Sequence, residues 1–423
     1  MTIKLSQTEE NDLIVKLAQE FESRPLRNEY IGPDDFSWAD EITPNFQEDT
    51  RTKIDRFLGE KGLSQFIYSE IKWSADLSTD GLMAKRGQPI TQFDFARSPI
   101  SLARNIVNVL KQIPIRYRIT AQLPIQFSAP LIGEVQEKFD LQSDIWVTTG
   151  GSLPGGFAVT SNNIRIDRRL FNDFIIDENI NRDLAEDRFY FSMPVLGYAS
   201  YWPSTDLGRT FEDGIRAFYG AAFAIKLIDY GWGHDGETLP FMMIHTPDCQ
   251  EIINTEKLED DLLERSFHTS TVAFAKDHKD DLWQAYQIAM KDIGTIFGDS
   301  VDRRKLFTAC IWYYRAMINR RRLDALLEAT IAIEVILGDK KASEGIAISN
   351  LLGSRCAFLL GTSTASRDTI MAVFRKIYDL RSQIVHEGRH TLQAGDRHTV
   401  NSALTLCGRI IAKELKIRAK SDA

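Results

Sequence analysis

The chain has 423 residues, a length that predicts two or three domains at about 150 residues each. Hydrophobic residues make up 43% and charged residues 26% of the sequence, which excludes disordered, collagen-like and coiled-coil classes. The N-terminal residues lack the apolar stretch of a secretory signal, and the four cysteines lie far apart. We therefore expect a cytoplasmic protein with no membrane partner.

The charge is distributed unevenly along the chain. The net charge of −8 hides a basic part, residues 301–423, which holds 21 Lys and Arg against 12 Asp and Glu, or +9. Residues 1–300 hold 30 basic and 47 acidic residues, or −17. A basic module of this kind can hold a polyanion, although basic helical domains without that function are also common.

The N-terminal part is predicted to be an α+β domain over residues 1–275. Residues 1–60 carry apolar positions at helical spacing, and strict alternation over residues 117–127 predicts a strand with one wet face. Further strands are predicted over residues 145–148, 157–160, 164–167, 189–192 and 241–245, and a helix over residues 211–228. These strands, joined by short turns, indicate a largely antiparallel sheet.

The pattern after residue 282 is helical throughout. Helices are predicted over residues 282–297, 304–318, 322–337, 344–360, 368–387 and 399–418. Gly338 and Gly361 each follow a Leu at a helix end, where glycine can close a helix in the left-handed conformation, and Ser366 is predicted to cap the next helix. The fold class is thus an α+β domain followed by an all-helical domain over residues 276–423.

The helix predicted over residues 368–387 has two distinct faces. Apolar residues at three- and four-residue steps form the packing face: Ile370, Val373, Phe374, Ile377, Leu380 and Ile384. A polar stripe has the same spacing: Arg375, Tyr378, Ser382, His386 and Arg389. Ser382 and His386 lie about 40° apart around the axis, whereas Arg381 lies about 140° from His386 and reaches it only through its long side chain.

Arg381 and His386 suit phosphodiester cleavage. An arginine supplies a permanent charge and planar donors for phosphate oxygens, and a histidine gives or takes a proton near neutral pH. Such a pair also occurs by chance on exposed helix faces, so a purely structural role stays open.

The string YDLRSQIVHEG, residues 378–388, resembles the R-x4-H signature of HEPN domains, specifically of the Apea-like HEPN group. The segments IWYYRA, IAIEVIL and SRCAFLLG, which begin at residues 311, 331 and 354, resemble that group's earlier helices in order and spacing. The resemblance covers residues 300–420, and no family is recognised in the first 270. Ser382 stands where the family frequently has Asn. Glu387 separates His386 from Gly388 and is a candidate ion-pair partner for the histidine.

The resemblance implies a HEPN-like bundle and a metal-independent endoribonuclease that needs no cofactor. It further implies a homodimer formed through the helical domain, with RNA, tRNA included, as partner. Arg381 would stabilise the phosphate under attack, and His386 would serve as general acid or base at the 2′-hydroxyl, beside Ser382. The implied setting is antiphage defence or a toxin-like response, in which the N-terminal domain acts as a sensor or restraint with an unknown trigger.

Two alternatives from other functional classes remain. One is a non-catalytic HEPN module that dimerises or binds RNA or nucleotides without cutting. The other places the main activity in the N-terminal domain and leaves the helical domain as a dimeriser.

Several residues are assigned supporting parts. Glu334 lies in the apolar run 331–337, where an unpaired carboxylate is costly to bury, so it needs a partner. A structural ion pair with Arg315 or Arg355 and an orienting contact to Arg381 or His386 are both open. Tyr378 is also assigned a supporting role. The residues predicted to contact RNA are Arg320, Arg321, Arg322, Arg375 and Arg389.

A weaker pattern is discounted. Asp34, Glu70 and Lys72 loosely match the metal-dependent nuclease pattern, with a strand expected over residues 68–73, but such matches are frequent by chance.

Overall fold

The computed structural model describes residues 2–27, 31–59, 62–74, 87–124, 127, 129–131, 138–142, 144–153, 188–200, 206–230, 238–246, 249, 252–266, 269–338 and 348–421. The strands predicted over residues 157–160 and 164–167 lie outside these ranges. The first residues of the helix predicted over residues 344–360 lie outside them as well.

The described residues of the N-terminal part include four α-helices: α1 (Gln7–Ser23), α2 (Glu48–Leu58), α3 (Gly62–Ser74) and α4 (Pro99–Leu110). They enclose a hydrophobic cluster of their own, in which Leu17, Phe66 and Ile106 are buried. Helix α1 begins with a capping box, because Ser6 Oγ accepts the Glu9 N–H while the Glu9 carboxylate accepts the Ser6 N–H. The helical expectation for residues 1–60 is confirmed.

Helix α3 corrects the strand expected over residues 68–73. Phe66, Ile67 and Ile71 are each at most 1% exposed, a spacing that belongs to one face of a helix and not to alternate faces of a strand. Glu70 on this helix accepts a hydrogen bond from the Tyr198 hydroxyl at 2.6 Å, and burial raises the pKa of Glu70. The discounted nuclease pattern therefore lacks the strand it requires.

An antiparallel sheet follows the N-terminal helices. Its six strands are β1 (Ile115–Gln122), β2 (Lys138–Gln142), β3 (Ile145–Thr149), β4 (Phe189–Gly197), β6 (Phe241–His245) and β7 (Ile252–Lys257). Their order is β2-β3-β4-β1-β6-β7, and β5 (Asp229–Tyr230) pairs separately with β8 (Thr269–Ser270). In the central register Ile119 of β1 faces Met193 of β4 on one side and Ile244 of β6 on the other. The largely antiparallel sheet is confirmed.

Strand β1 is buried on both faces, which corrects the wet face expected for it. Arg118 and Thr120, on the polar face, are 8% and 0% exposed, and Thr120 faces Met243 of a second buried cluster that also contains Tyr190. Ser192 of β4 satisfies both, since its hydroxyl lies 3.1 Å from Arg118 Nη1 and 3.1 Å from Thr120 Oγ1. The Arg118 guanidinium also stacks on the Trp146 ring, with its carbon 3.5 Å from the ring centroid. The alternating polar residues of β1 therefore form a buried, hydrogen-bonded face and not a solvent-exposed one.

The remaining helices pack against the sheet and against one another. They are α5 (Asp206–Ala224), α6 (Asp260–Ser266), α7 (Val272–Asp277), α8 (Leu282–Gly294), α9 (Val301–Ile318), α10 (Arg322–Leu337), α11 (Ile348–Leu360), α12 (Thr364–His386) and α13 (Asp396–Ser421). The bounds predicted for α10 and for β6 coincide with those observed. Within the described ranges, no helix is both long and apolar enough to cross a bilayer.

The sheet and the C-terminal helices share one hydrophobic core. A single buried cluster extends from β1 and β4 through α5 to α13. At Gly220 of α5 an added Cβ would lie 2.0 Å from the Cys310 carbonyl oxygen of α9, so the two helix backbones touch. Tyr219 stacks on Tyr314 nearby, with ring centroids 5.7 Å apart. The core is therefore continuous across residue 275, where the all-helical domain was predicted to begin.

Two predicted helix ends are wrong in detail. Gly338 has φ −72° and ψ 141°, which is extended backbone, and Gly361 does not adopt the left-handed conformation either. A side chain at Gly338 has no room, because an added Cβ would lie 2.3 Å from the Glu334 carbonyl oxygen.

The N-terminal cap of α12 lies three residues earlier than predicted. Ser363, and not Ser366, is the cap, and its Oγ accepts the Ser366 N–H at 3.2 Å.

Candidate functional site

Helix α12 carries the candidate site and is fixed by its apolar face. Ile370, Phe374, Ile377 and Leu380 are buried in the common core, which confirms the packing face read from their spacing. The helix ends at His386, and Gly388 then reverses the chain with φ +68°. The polar side chains of the last two turns therefore lie at a helix end whose position is set by packing.

Arg381 of α12 pairs with Glu334 of α10. Arg381 Nη2 lies 3.6 Å from Glu334 Oε1, and the two side chains are 21% and 25% exposed. Oε1 itself is buried and has no hydrogen-bond partner among the described residues, so the contact is a long ion pair without a hydrogen bond. Of the partners considered for Glu334, the structure brings Arg381 to it.

The other candidate partners have contacts of their own. Arg315 on α9 places its guanidinium carbon 5.2 Å from the centroid of the Trp312 ring, and it does not pair with Glu334. Arg355 on α11 donates a hydrogen bond to the Leu337 carbonyl oxygen, at the end of α10. Arg315 thus belongs to another part of the molecule, and Arg355 closes the helix that carries Glu334.

Tyr378 connects the packed face of α12 to the Arg381–Glu334 pair. Its ring stacks on Phe374 with centroids 5.7 Å apart, and the Arg381 guanidinium carbon lies 5.6 Å from the Tyr378 centroid. Burial and the negative charge of Glu334 raise the pKa of Tyr378, against the opposing charge of Arg381. The phenol is therefore neutral at physiological pH and positions the arginine.

Ser382 and His386 lie at the solvent side of the same helix end. Ser382 is half-buried and His386 is exposed. Neither side chain makes a hydrogen bond or ion pair with any described residue, and the pair expected between Glu387 and His386 is not formed. The imidazole lies at the C-terminus of α12. Both side chains are accessible to a ligand.

The residues predicted to contact RNA separate into two groups. Arg375 is exposed on α12, two turns before Ser382. Arg389 has left the helix and is committed to structure, because its guanidinium donates to Gln383 Oε1 at 2.6 Å and also binds the Asp396 carboxylate. Arg389 therefore joins α12 to α13 and is a poor candidate for a phosphate contact.

The basic turn of Arg320, Arg321 and Arg322 lies far from the α12 site. It precedes and begins α10, whereas Glu334 lies twelve residues later, about 18 Å along the helix axis at 1.5 Å per residue. The three arginines are exposed. The structure therefore does not bring this turn together with Arg381.

A cluster around Arg216 of α5 was not found in the sequence. Arg216 is 3% exposed, and its guanidinium donates to Asp261 at 2.8 and 2.9 Å, to Glu259 at 2.6 Å and to Asp213 at 3.2 Å. The Glu212 carboxylate accepts the Glu259 N–H at 2.7 Å. The spacing of Glu212, Asp213 and Arg216 at three and four residues within an otherwise apolar helix is the signal that could have found it.

Glu256 on β7 is a buried carboxyl group beside this cluster. It is 5% exposed, and its Oε1 has no hydrogen-bond partner among the described residues. Burial and the nearby charge of Glu212 raise the pKa of Glu256 to about 8, and burial raises that of Glu212 to about 7. An added Cβ at Gly208 of α5 would lie 2.6 Å from Glu256 Oε2, so the helix backbone covers this carboxyl group closely.

Comparisons with known proteins return no match. No family model matches the sequence, no curated protein is similar to it, and no solved structure matches its fold. The residues described here also contain no group of three or more His, Cys, Asp or Glu side chains that could hold a metal ion. Function is therefore inferred from the side chains of the site.

Proposed function

We propose that this chain is a cytoplasmic, metal-independent endoribonuclease of HEPN type, with the R-x4-H segment of α12 as its active site. The proposal rests on the sequence resemblance and on one structural observation. Arg381 is held by a single long ion pair, while Ser382 and His386 are accessible and have no partner within the described residues. This combination leaves a cation, a hydroxyl group and an imidazole available to an RNA backbone.

Arg381 is the phosphate-binding residue in this proposal. Its contact to Glu334 at 3.6 Å is too long for a hydrogen bond, so guanidinium donors remain for a phosphate. A phosphate accepts two parallel N–H bonds from a guanidinium, which makes it a stronger partner than a carboxylate at that distance. Tyr378 and Glu334 keep the arginine oriented until the phosphate binds.

His386 carries the proton transfers in this proposal. The 2′-oxygen forms a bond to phosphorus while the bond from phosphorus to the 5′-oxygen breaks, which gives a 2′,3′-cyclic phosphate and a 5′-hydroxyl group. One imidazole accepts the 2′-hydroxyl proton, and a protonated imidazole donates a proton to the leaving 5′-oxygen. In a homodimer formed through the helical part, the two copies of His386 supply the base and the acid.

We extend the proposal to the partner, the biological role and the first 300 residues. The partner is RNA, tRNA included, and the activity serves antiphage defence or a toxin-like response. The first 300 residues, with a net charge of −17, act as a sensor or restraint, because an acidic body tethered to a basic domain competes electrostatically with RNA.

A non-catalytic HEPN module that binds RNA is the second candidate, and one observation favours it. Arg381 and His386 lie about 140° apart around a regular helix, so one chain does not present both to the same phosphate. Glu334 also neutralises part of the arginine charge. In this case α12 binds RNA and does not cleave it.

A cleavage assay on the full chain distinguishes the two candidates. Wild type, His386→Ala and the matched control His398→Ala, an exposed histidine on α13, are incubated with total tRNA and synthetic single-stranded RNA in EDTA. We expect wild type and the control to release 2′,3′-cyclic phosphate ends, and the His386 variant to lose at least about a hundredfold in rate. Equal rates in all three proteins, or no cleavage by folded wild type that still binds RNA, would refute the enzymatic proposal.

A further inference from the structure

A second site is built between the α+β part and the helical part. A cleft of about 540 Å³ separates residues 259–261, which begin α6, from residues 315–321, which end α9 and lead into α10. This cleft is at the opposite end of α10 from Glu334, about 18 Å along the axis. It is therefore distinct from the α12 site, and the inference does not depend on the ribonuclease proposal.

The acidic wall of the cleft, residues 259–261, is held in place by the buried Arg216. Arg216, nine-tenths buried, binds both oxygens of Asp261 and one oxygen of Glu259 at 2.6 to 2.9 Å. The Tyr314 hydroxyl donates to the Asp261 carbonyl oxygen at 3.0 Å and fixes the backbone. Asp260, between them, is exposed and pairs with Lys257 at 3.1 Å. The carboxylates of this wall are thus preorganised by a buried guanidinium before any ligand arrives.

The basic wall consists of the α9–α10 turn with Arg315 and Arg321, and its backbone is also held by hydrogen bonds. Asn319 holds the turn, because its Oδ1 accepts the Arg321 N–H at 2.9 Å and its Nδ2 donates to Glu328 Oε2 at 3.1 Å. Arg315 forms no ion pair with any described residue, and the Arg321 side chain, 77% exposed, lies 3.4 Å from Asp324. Two guanidinium groups therefore face the cleft with donors left for an anion.

We propose that this cleft binds a small phosphorylated polyol, a sugar phosphate or a mononucleotide. The phosphate binds Arg315 and Arg321, and the hydroxyl groups of the sugar donate to Asp260 on the opposite wall and to Glu328 beside Asn319. A purely anionic ligand would face the carboxylates, and a purely cationic one would face the arginines. The volume falls within the range of about 300–1,000 Å³ that small-ligand sites occupy.

Binding of such a ligand joins two parts of the fold. The occupant contacts the β7–α6 connection on one side and the α9–α10 turn on the other. It stabilises the native chain by mass action, since the unfolded chain has no cleft to offer. A rise in the melting temperature therefore accompanies binding and provides a second readout.

Isothermal titration calorimetry on the full chain tests the proposal with ribose 5-phosphate, AMP, ribose and inorganic phosphate. We expect ribose 5-phosphate or AMP to bind with a Kd below about 1 mM, and ribose and phosphate to bind at least about tenfold more weakly. Arg315→Met should weaken binding about tenfold or more, and Glu328→Gln about threefold. Arg409→Met, an exposed arginine on α13 outside the cleft, should bind as wild type does.

The relative affinities identify the ligand within this class. Tighter binding of AMP than of ribose 5-phosphate supports a nucleotide, and equal binding supports a sugar phosphate. The proposal is overturned if neither compound binds with a Kd below about 1 mM, if inorganic phosphate binds as tightly as both, or if Arg315→Met leaves the affinity unchanged.

Discussion

Arg216 and Arg381 lie beside carboxylates in two regions of the molecule, but under opposite conditions. Arg216 is 3% exposed and makes hydrogen bonds of 2.6 to 3.2 Å to Asp213, Glu259 and Asp261. Arg381 is 21% exposed and has one carboxylate partner, Glu334, at 3.6 Å. The guanidinium of Arg216 thus has several hydrogen-bond acceptors, whereas that of Arg381 has donors left unused by its carboxylate partner.

This difference separates a structural arginine from one that can serve a ligand. Removing a buried, saturated guanidinium leaves several carboxylates without compensation, so the group acts as a clamp between α5 and the start of α6. A partly exposed, loosely paired guanidinium exchanges a carboxylate for a phosphate at little cost. Burial and partner geometry, more than residue type, therefore indicate which arginine has donors left for a ligand.

The largest expected effect is on the clamp. Arg216→Met should lower the free energy of unfolding by about 2–4 kcal/mol, because Asp261 and Glu259 lose their shared hydrogen-bond donor and the buried Glu212 loses its neighbouring positive charge. Urea denaturation at pH 7 measures it. The matched control Arg209→Met, on the same helix and 65% exposed, should change stability by less than about 0.5 kcal/mol. Equal effects of the two substitutions would show that Arg216 is no clamp.

The next effect depends on pH and concerns Glu256. Its folded pKa, about 8, lies above the ordinary value of 4.5, so the folded chain holds a proton that the unfolded chain releases. The stability that the neutral carboxyl group provides is complete below pH 4.5 and is lost as the pH rises to about 8. Glu256→Gln, neutral at every pH, should therefore stabilise the protein by about 1–3 kcal/mol at pH 9 and by little at pH 5.

Melting temperatures of wild type and the Glu256 variant across this range measure the difference, with Glu22→Gln, an exposed carboxylate on α1, as control. A gain that is the same at pH 5 and pH 9 would contradict the raised pKa of Glu256.

Local periodicity allowed much of the fold to be predicted. The bounds of α10 and β6, the antiparallel sheet and the packing face of α12 follow from spacings of two, three or four residues. The R-x4-H segment was found through its sequence resemblance, and the polar stripe around it through its spacing. These features depend on neighbours in sequence.

Features that depend on distant contacts were missed. Arg216 and Asp261 are 45 residues apart, and their meeting requires the packing of α5 on the β7–α6 connection. The buried polar face of β1 depends on Ser192 of β4, which lies 72 residues from Thr120. Glu334 had several possible partners, and the packing of α10 against α12 brings Arg381 to it. Sequence spacing does not determine such pairs.

Substitution of Arg381 should change stability little and RNA cleavage or binding more. Arg381→Met should change the free energy of unfolding by less than about 1 kcal/mol, because its pair with Glu334 is long and partly solvated. RNA cleavage or binding should fall at least about tenfold, since a charged phosphate contact is lost. Denaturation and RNA titration of the same preparation measure both, with Arg409→Met as control. A large loss of stability without loss of RNA affinity would make Arg381 a clamp like Arg216.

The smallest expected effect is on the RNA affinity of a Glu334 variant, and the direction of the change is informative. Glu334→Gln keeps the size of the side chain but removes the negative charge beside Arg381, which should oppose a phosphate there. RNA affinity, measured by fluorescence anisotropy with labelled single-stranded RNA, should rise about threefold, with stability unchanged within about 1 kcal/mol. Its control is Glu328→Gln, six residues and about 9 Å before Glu334 along α10, which should leave RNA affinity unchanged. If Glu334 served only to neutralise Arg381 within the fold, the same change would lower stability and leave RNA affinity as it is. A rise in affinity therefore identifies Glu334 as a competitor of the phosphate.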